Sequence, residues 1–326
     1  QAARHLTRFA RQSCRQENWW PNDVAMPRAP SLSLTEPPWP GIAARLAEEV
    51  EPEFLAKRIV SIGGGCISQA FCFEGSQQRF FIKVNSANCL PLFSSESAGL
   101  DEIRQSATLR VPRPLCYGIE RDHAWFALEF IPLQNHGNQI TLGTALASMH
   151  RHTADQFGWK HDNTIGATLQ KNTPSLDWIA FWREHRLNFQ LRLAQKNGYG
   201  GHLQRLGERL MQDVADFFDT TPVASLLHGD LWSGNYAFDD RGQPVVFDPA
   251  VYYGDREADL AMTELFGGFS ADFYAAYQAA WPLDGGYRVR KQLYNLYHIL
   301  NHLNLFGGHY LHQAEVTMGE LLAEIR

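Results

Sequence analysis

The pattern of apolar and polar positions first predicts a strand-rich segment. Over residues 57–85, "KRIVSIGGGCISQAFCFEGSQQRFFIKVN", it indicates a strand, a Gly-rich turn, a strand, a tight turn at "EGSQQ" and a third strand. A helix over "SSESAGLDEIRQSA" and two strands, over "VPRPLCYGIE" and "HAWFALEFIP", follow. Another helix, over "GIAARLAEEV", comes before. We therefore expect five strands and one helix within residues 57–131.

Helical periodicity dominates the rest of the chain. It is carried by "QITLGTALASMHRHT", "LDWIAFWREHRLNFQLRLAQ", "HLQRLGERLMQDVADFFD", "DLAMTELFGG", "FYAAYQAAW" and "RKQLYNLYHILNHLNLFGGHY". Two short strands within residues 225–255 interrupt these helices. The expected fold class is α+β: a small five-stranded antiparallel lobe with one helix (residues 39–131), a hinge near 129–134, and a larger, mainly helical lobe (132–326). A cleft between two lobes is a common place for a ligand.

Composition narrows the function classes. With 326 residues and 44% hydrophobic content, the chain can bury a large core. Its net charge of −6 gives no general attraction for nucleic acid or an anionic membrane, so neither is expected as a partner. The five cysteines form no C-x-x-C pair, and no apolar run approaches the roughly 20 residues of a spanning helix. We expect a soluble, cytoplasmic protein, monomeric or homodimeric.

Residues 1–38 differ from the remainder. Four arginines, at positions 4, 8, 11 and 15, precede the first acidic residue, Glu17, and a Pro- and Ser-rich stretch follows. An Arg-rich, acid-poor start is compatible with an organelle transit peptide. We favour a poorly ordered or non-native N-terminal extension, because the composition lacks a core-forming pattern.

Two features of the strand-rich segment suit phosphate binding. The turn "SIGGGCIS" lets the backbone approach a ligand closely, although a glycine-requiring hairpin would look the same. Lys83, on the strand "FFIKVN", resembles the V-A-I-K lysine of kinases, with Glu96 as its candidate partner. Taken singly, Lys83 could face solvent from an edge strand, and Glu96 could be a favourable charge at a helix N-terminus. The order glycines, lysine, glutamate favours the kinase interpretation.

The stretch "LLHGDLWSGNYAFDDRGQPVVFDPA" supplies catalytic residue types. Asp230 and Asn235 repeat the spacing of the kinase pattern H-R-D-L-x-x-x-N, and Asp248 ends the next apolar strand, where D-F-G would stand. Phosphoryl transfer needs a carboxylate to orient and deprotonate the hydroxyl, and oxygen ligands for magnesium. An Asx-rich turn between core strands is the alternative. The four elements in order predict a kinase-type site.

Several motifs together resemble the fructosamine kinase (ketoamine kinase) family of the protein-kinase-like, aminoglycoside phosphotransferase superfamily. They are "GGGCIS", "FIKVN", "VPRP", "NTIGAT", "FWREHRL", "LLHGDLWSGN", "FDPAVYYGDREADLAM", "ELFGGF" and "LNHLNLFG". The resemblance extends from about Trp39 to the end of the sequence. The motif H-G-D-x-x-x-x-N is shared by the whole superfamily, whereas Trp232 and "GGGCIS" point to the fructosamine kinase family in particular. It implies a two-lobed kinase-like fold and ATP-dependent phosphorylation of a sugar hydroxyl on a ketoamine, which promotes deglycation. A related kinase of the aminoglycoside or choline type, or a nucleotide-binding pseudokinase, is the alternative.

The resemblance also implies roles for individual residues. Asp230 would be the catalytic base, and Asn235 and Asp248 would hold Mg²⁺. The ATP-binding residues would be Gly63, Gly64, Gly65, Ser68, Lys83, Glu96, Glu129 and Ile131. Trp232, Asn301 and His302 are candidates for the substrate pocket, although core packing would explain each of them too.

Three further residues carry weaker expectations. Asp259 and His228 are expected to support the catalytic loop rather than touch substrate. Cys66, beside the glycines, is either a redox-sensitive thiol or, as we favour, a small buried apolar residue.

Overall fold

The computed structural model describes residues 36–62 and 68–325, which form two compact units. The first contains the described residues up to Arg104, with Arg110–Gly137 and Ala237–Phe247. The second contains Gln105–Leu109, Asn138–Tyr236 and the described residues from Asp248 onward. The predicted residues Gly63, Gly64, Gly65 and Cys66, and positions 1–35 of the predicted extension, lie outside the described residues.

The strands and helices are numbered in chain order. The strands are β1 (Arg58–Ser61), β2 (Gln69–Glu74), β3 (Arg79–Ser86), β4 (Pro114–Glu120), β5 (His123–Glu129), β6 (Asn163–Ile165), β7 (Thr168–Gln170), β8 (Ser225–Leu227), β9 (Tyr236–Phe238), β10 (Pro244–Val246) and β11 (Tyr252–Gly254). The α-helices are α1 (Trp39–Glu49), α2 (Leu90–Gln105), α3 (Gln139–His150), α4 (Trp178–Trp182), α5 (Phe189–Lys196), α6 (His202–Asp213), α7 (Glu257–Leu265), α8 (Ala271–Ala280), α9 (Tyr287–Phe306) and α10 (His309–Glu324).

The first unit is built on the predicted five-stranded sheet. Its order is β1-β2-β3-β5-β4, and each neighbouring pair is antiparallel. The run "HAWFAL" of β5 is buried throughout, because the strand lies between β3 and β4 and is covered on both faces. On one face Trp125 joins the core cluster of α1, which includes Leu46. On the other, Phe126 packs against Phe93 of α2, with 5.8 Å between ring centroids.

The second unit is mainly helical, as predicted. α3 and α8 pack so closely that a Cβ on Gly143 would lie 2.3 Å from the carbonyl oxygen of Phe273. The segment predicted as one helix over residues 176–195 is α4 and α5 joined by a π-helical stretch, Arg183–Asn188. Such a bulge shifts the helical register, and it buries Arg186 and Leu187. Within the described residues, no helix is both long and apolar enough to cross a membrane.

Candidate active site

The loop after β8 carries the predicted base and is anchored from beneath by α7. The carboxylate of Asp259 accepts hydrogen bonds from the backbone N–H groups of His228 (2.7 Å) and Gly229 (2.8 Å). The buried ring of His150 contacts the same carboxylate at 3.2 Å. Burial acts to raise the pKa of Asp259, but these hydrogen bonds outweigh it and the pKa is lowered. Asp259 therefore supports the catalytic loop as an ionised carboxylate, as expected.

Glycine is required in the middle of this loop. Gly229 has φ +82°, and a Cβ there would lie 2.0 Å from the carbonyl oxygen of Ala250. The backbone N–H of Ala250 donates to the carbonyl of His228 at 2.8 Å. The catalytic loop and the segment after Asp248 are thus in direct backbone contact, which leaves no room for the arginine of the H-R-D pattern.

Asp230 has an unusual electrostatic environment. Its carboxylate accepts a hydrogen bond from Asn235 Nδ2 at 3.2 Å, and its own carbonyl accepts from the same amide at 2.9 Å. Burial, and then the charge of Asp248, raise the pKa of Asp230 to about 7, while the Asn235 hydrogen bond opposes the rise. A carboxylate that titrates near neutral pH suits a base that must accept and release a proton.

The residues around Asp230 fit a magnesium ion. The amide nitrogen of Asn235 donates to Asp230, so the amide oxygen is the atom of this side chain that could bind a cation. Asp248 is exposed, lies just after β10 and has φ +57°. The described residues contain no cluster of three or more His, Cys, Asp or Glu arranged for a metal. One carboxylate and one amide oxygen are nevertheless a sufficient protein contribution for Mg²⁺, which takes its other ligands from phosphates and water.

Lys83 and Glu96 form the ion pair that the sequence suggested. Lys83 Nζ lies 2.7 Å from Glu96 Oε1, and the side chains are 13% and 15% exposed. Lys83 is on β3, flanked by the buried Ile82 and Val84, so the alternation of the strand places it on the opposite face. α2 begins at Leu90, so Glu96 lies in its second turn, beyond the turn where a helix dipole acts most strongly.

The other predicted nucleotide-binding residues of the first unit occupy ordered positions. Ser68 Oγ accepts a hydrogen bond from Asn85 Nδ2 at 3.1 Å. The N–H of Glu129 donates to the carbonyl of Arg113 at 2.9 Å, and its carboxylate accepts from Arg110 at 2.9 Å. Ile131 is buried in a small core cluster with Val245.

The three predicted substrate residues differ in their surroundings. Trp232 is half-buried two residues after Asp230, with its ring edge-on to Phe266 at 6.2 Å. The ring of His302 also contacts Phe266, with 5.3 Å between the ring centroids, and burial lowers the pKa of His302 to about 4. Asn301 is engaged on both sides of its amide: it accepts from Gln190 and donates to the carbonyl of Ile165, each at 3.3 Å.

Two contributors to this region had no assigned role in the sequence. Phe266 was noted only within the motif "ELFGGF", and His150 only within a predicted helix. Each joins the site through contacts with residues 34 or more positions away, as between Phe266 and Trp232 or His150 and Asp259. Spacing along the chain carries no signal for such contacts.

These features define a protein-kinase-like phosphotransferase. One unit has an antiparallel five-stranded sheet with the ion pair of Lys83 and Glu96, and the mainly helical unit carries Asp230, Asn235 and Asp248. The family model for fructosamine kinase matches residues 38–324. The chain therefore belongs to the fructosamine kinase family, and its predicted family, fold class and enzyme class are confirmed. Because the family consists of kinases, ATP is the expected phosphate donor.

Individual relatives agree with this assignment. A probable ketoamine kinase of Synechocystis sp. is 43% identical over 288 residues, which cover 87% of this chain and 97% of the relative. A chloroplastic protein-ribulosamine 3-kinase of Arabidopsis thaliana is 41% identical over 274 residues, covering 82% and 84%. A crystal structure of a candidate fructosamine-3-kinase from Haemophilus somnus superposes with a TM-score of 0.80 at 26% identity, covering 87% and 97%. An aminoglycoside phosphotransferase, with a TM-score of 0.57 at 16% identity, shares the fold.

Proposed function

We propose that the protein transfers the γ-phosphoryl group of ATP to a sugar hydroxyl of a ketoamine, a fructosamine- or ribulosamine-type adduct, and so promotes deglycation. The observation that carries this proposal is the environment of Asp230. Its carboxylate is held by Asn235, raised in pKa to about 7 and close to Asp248. The names of the relatives, ketoamine kinase and ribulosamine 3-kinase, support this class of acceptor.

Asp230 orients the acceptor hydroxyl in the proposed reaction. The ionised carboxylate accepts a hydrogen bond from the hydroxyl, whose oxygen forms a bond to the γ-phosphorus as the bond between that phosphorus and the bridging oxygen of ADP breaks. The hydroxyl proton passes to Asp230 and then to solvent. Mg²⁺, which Asn235 and Asp248 would hold, supplies neutralisation of phosphate charge when it is bound.

The remaining nucleotide contacts are proposed for residues 39–131. Lys83, fixed by Glu96, binds phosphate oxygens, and Gly63, Gly64 and Gly65, which the sequence predicts to form a turn, cover the phosphates together with Ser68. The N–H of Glu129 is occupied by Arg113, which leaves the carbonyl of Glu129 and the N–H of Ile131 as the proposed contacts to adenine. Residues 132–326 supply the catalytic loop and the acceptor pocket.

The acceptor pocket is proposed around Trp232 and His302. An aromatic face suits the C–H groups of a sugar, and the Trp232 ring follows the base by two residues. A neutral His302 adds no charge that would repel the ammonium of a ketoamine. Asn301 is proposed to shape the pocket through its neighbours, since both sides of its amide are occupied.

The decisive assay is ADP release from Mg-ATP in the presence of ribulose-, erythrulose- and fructose-lysine, with Asp230→Asn as the control. We expect turnover on at least one ketoamine, and its loss in Asp230→Asn with nucleotide binding retained. Turnover only on an aminoglycoside or choline would favour the related-kinase alternative. Nucleotide binding without turnover on any acceptor would indicate a pseudokinase. A cytoplasmic location and a monomeric or homodimeric state stay predictions.

A further inference from the structure

The β6–β7 hairpin lies beneath the segment that follows Asp248 and binds its backbone directly. Asn163 Nδ2 donates to the carbonyl of Val251 at 2.8 Å, and Gln170 Nε2 donates to the carbonyl of Ala250 at 3.0 Å. Both side chains are buried, with 5% and 1% of their surfaces exposed. Two side chains of a short hairpin therefore bind the two successive carbonyls that come after Pro249.

The amide orientations in this hairpin are fixed by a larger buried network. Asn163 Oδ1 accepts from Gln170 Nε2 and from Asn172 Nδ2, each at 2.9 Å. Gln170 Oε1 accepts from the Tyr297 hydroxyl at 2.8 Å. Because each acceptor oxygen already faces a donor, neither amide can flip without placing oxygen against oxygen. The network therefore fixes the two amide groups in the orientation that donates to the carbonyls of Ala250 and Val251.

Arg186 continues the network to the next residue of the same segment. Its Nη2 donates to Asn172 Oδ1 at 2.9 Å, and its guanidinium lies over the Tyr252 ring at 4.1 Å. Arg186 is fully buried and comes from the π-helical stretch between α4 and α5. Residues 250 and 251 are therefore bound by the hairpin, and residue 252 is contacted by Arg186 of the same network.

The segment that these side chains bind follows a residue with a strained backbone conformation. Asp248 has φ +57°, a left-handed conformation that costs a non-glycine residue about 1 kcal/mol or more and persists only where its surroundings impose it. The segment after it is bound from the other side by the catalytic loop, through the N–H of Ala250 and the carbonyl of His228. The hairpin side chains bind the carbonyls of Ala250 and Val251 and so complete this enclosure.

We propose that Gln170 and Asn163 are positioning residues that hold Asp248 in the orientation needed to bind the metal of the nucleotide. The inference rests on the proposed function for the role of Asp248. Loss of such outer contacts typically lowers metal affinity about 10- to 100-fold, because the ligand must then be ordered on binding.

The test measures nucleotide binding rather than turnover. ADP is titrated by calorimetry into the full chain, once with MgCl₂ and once with EDTA, for the wild type and for Gln170→Met, which keeps the volume but removes the amide. We expect Mg²⁺ to tighten ADP binding in the wild type, and this tightening to fall about tenfold in Gln170→Met. Binding in EDTA should be unchanged.

The matched control is Gln204→Met. Gln204 Nε2 also donates to two backbone carbonyls, of Leu191 and Tyr199, each at 3.0 Å, and neither of these partners belongs to the segment after Asp248. A merely structural role would lower the Tm of both variants and leave the magnesium-dependent tightening intact in both. That result would overturn the proposal.

A second variant in the same network covers the case in which Gln170→Met does not fold. Asn163→Asp keeps the oxygen that accepts from Gln170 and Asn172 and replaces only the donor to Val251. It should also lose magnesium-dependent tightening, and wild-type behaviour would refute the inference. If Mg²⁺ does not tighten ADP binding in the wild type itself, the proposed function fails instead, so the two failures are distinguishable.

Discussion

Replacing the proposed base with its neutral isostere, Asp230→Asn, should make the protein more stable while it removes turnover. Asp230 is half-buried, and both burial and the nearby Asp248 disfavour its ionised form. An asparagine removes that charge and retains an oxygen that can accept from Asn235. Stability is therefore expected to rise because the native residue is held in an unfavourable state for the sake of chemistry.

The magnitude follows from the pKa of Asp230, which rises from 3.8 to about 7. Each pKa unit corresponds to about 1.4 kcal/mol, so ionisation of the carboxylate in the folded protein costs at most about 4 kcal/mol. Water screens a half-buried group, and we expect a gain of about 1–2 kcal/mol in the free energy of unfolding. For a chain of 326 residues that is a Tm increase of about 1.5–3 °C.

The pH dependence of the gain is its diagnostic feature. A carboxyl group with a raised folded pKa destabilises the protein as pH rises above the unfolded value, and the cost is complete above the folded value. The advantage of Asp230→Asn should thus be full at pH 8 and only about a third as large at pH 5, since the cost accumulates between 3.8 and about 7. For the same reason, kcat/KM of the wild type should fall as pH decreases through about 7.

The assay is differential scanning fluorimetry of the wild type and the variant at both pH values, without nucleotide. Asp155→Asn is the control, because Asp155 is an exposed aspartate of the same unit, far in sequence from the loop. It should show no pH-dependent difference in Tm. A variant that is less stable than the wild type at pH 8, or whose advantage is equal at both pH values, would refute the electrostatic reasoning for Asp230.

Two further substitutions test the loop and the ion pair. Gly229→Ala should destabilise the protein by more than about 3 kcal/mol in urea unfolding, because its Cβ would lie 2.0 Å from the carbonyl oxygen of Ala250. Gly242→Ala, also at positive φ but in open space, should cost only about 1 kcal/mol, and equal costs would contradict the contact argument. Lys83→Met should raise the Kd for ATP about tenfold or more, as hydrogen bonds to charged groups contribute about 1.5–3 kcal/mol. The Kd for ATP is measured by isothermal titration calorimetry, in which Glu96→Gln should have a smaller effect than Lys83→Met. Unchanged ATP binding in Lys83→Met would exclude a role for that lysine in binding phosphate.

Much of the fold was predictable because its signals are local. The strands of the sheet alternate or run apolar over four to eight residues, and the last of them, β5, ends at Glu129, three residues before Pro132. The strands of the β6–β7 hairpin are three residues long, too short for a period of two to be recognised, so "NTIGAT" was only a motif. The π-helical stretch was missed because its residues keep helical periodicity.

The candidate site was predictable only in part, for a similar reason. Asp230, Asn235 and Asp248 lie within one stretch of chain, and their order carries the chemistry. The residues that surround these three do not lie in the same stretch of chain. Gln170 contacts Ala250 across 80 positions and Tyr297 across 127. A buried polar network of this kind leaves no periodic trace, since each amide is placed by tertiary contacts alone.

The contact between Gly229 and Ala250 makes the two halves of the catalytic motif one structural element. The proposed base Asp230 is separated from the proposed metal ligand Asp248 by 17 intervening residues. Their relative position is nevertheless set locally, by the hydrogen bond from the N–H of Ala250 to the carbonyl of His228 and by the absence of a side chain at position 229. Asp259 fixes this element from beneath through the same two loop residues, His228 and Gly229. Burial is the main cause of the raised pKa of Asp230, and the nearby charge of Asp248, which adds to the rise, is placed by this backbone geometry.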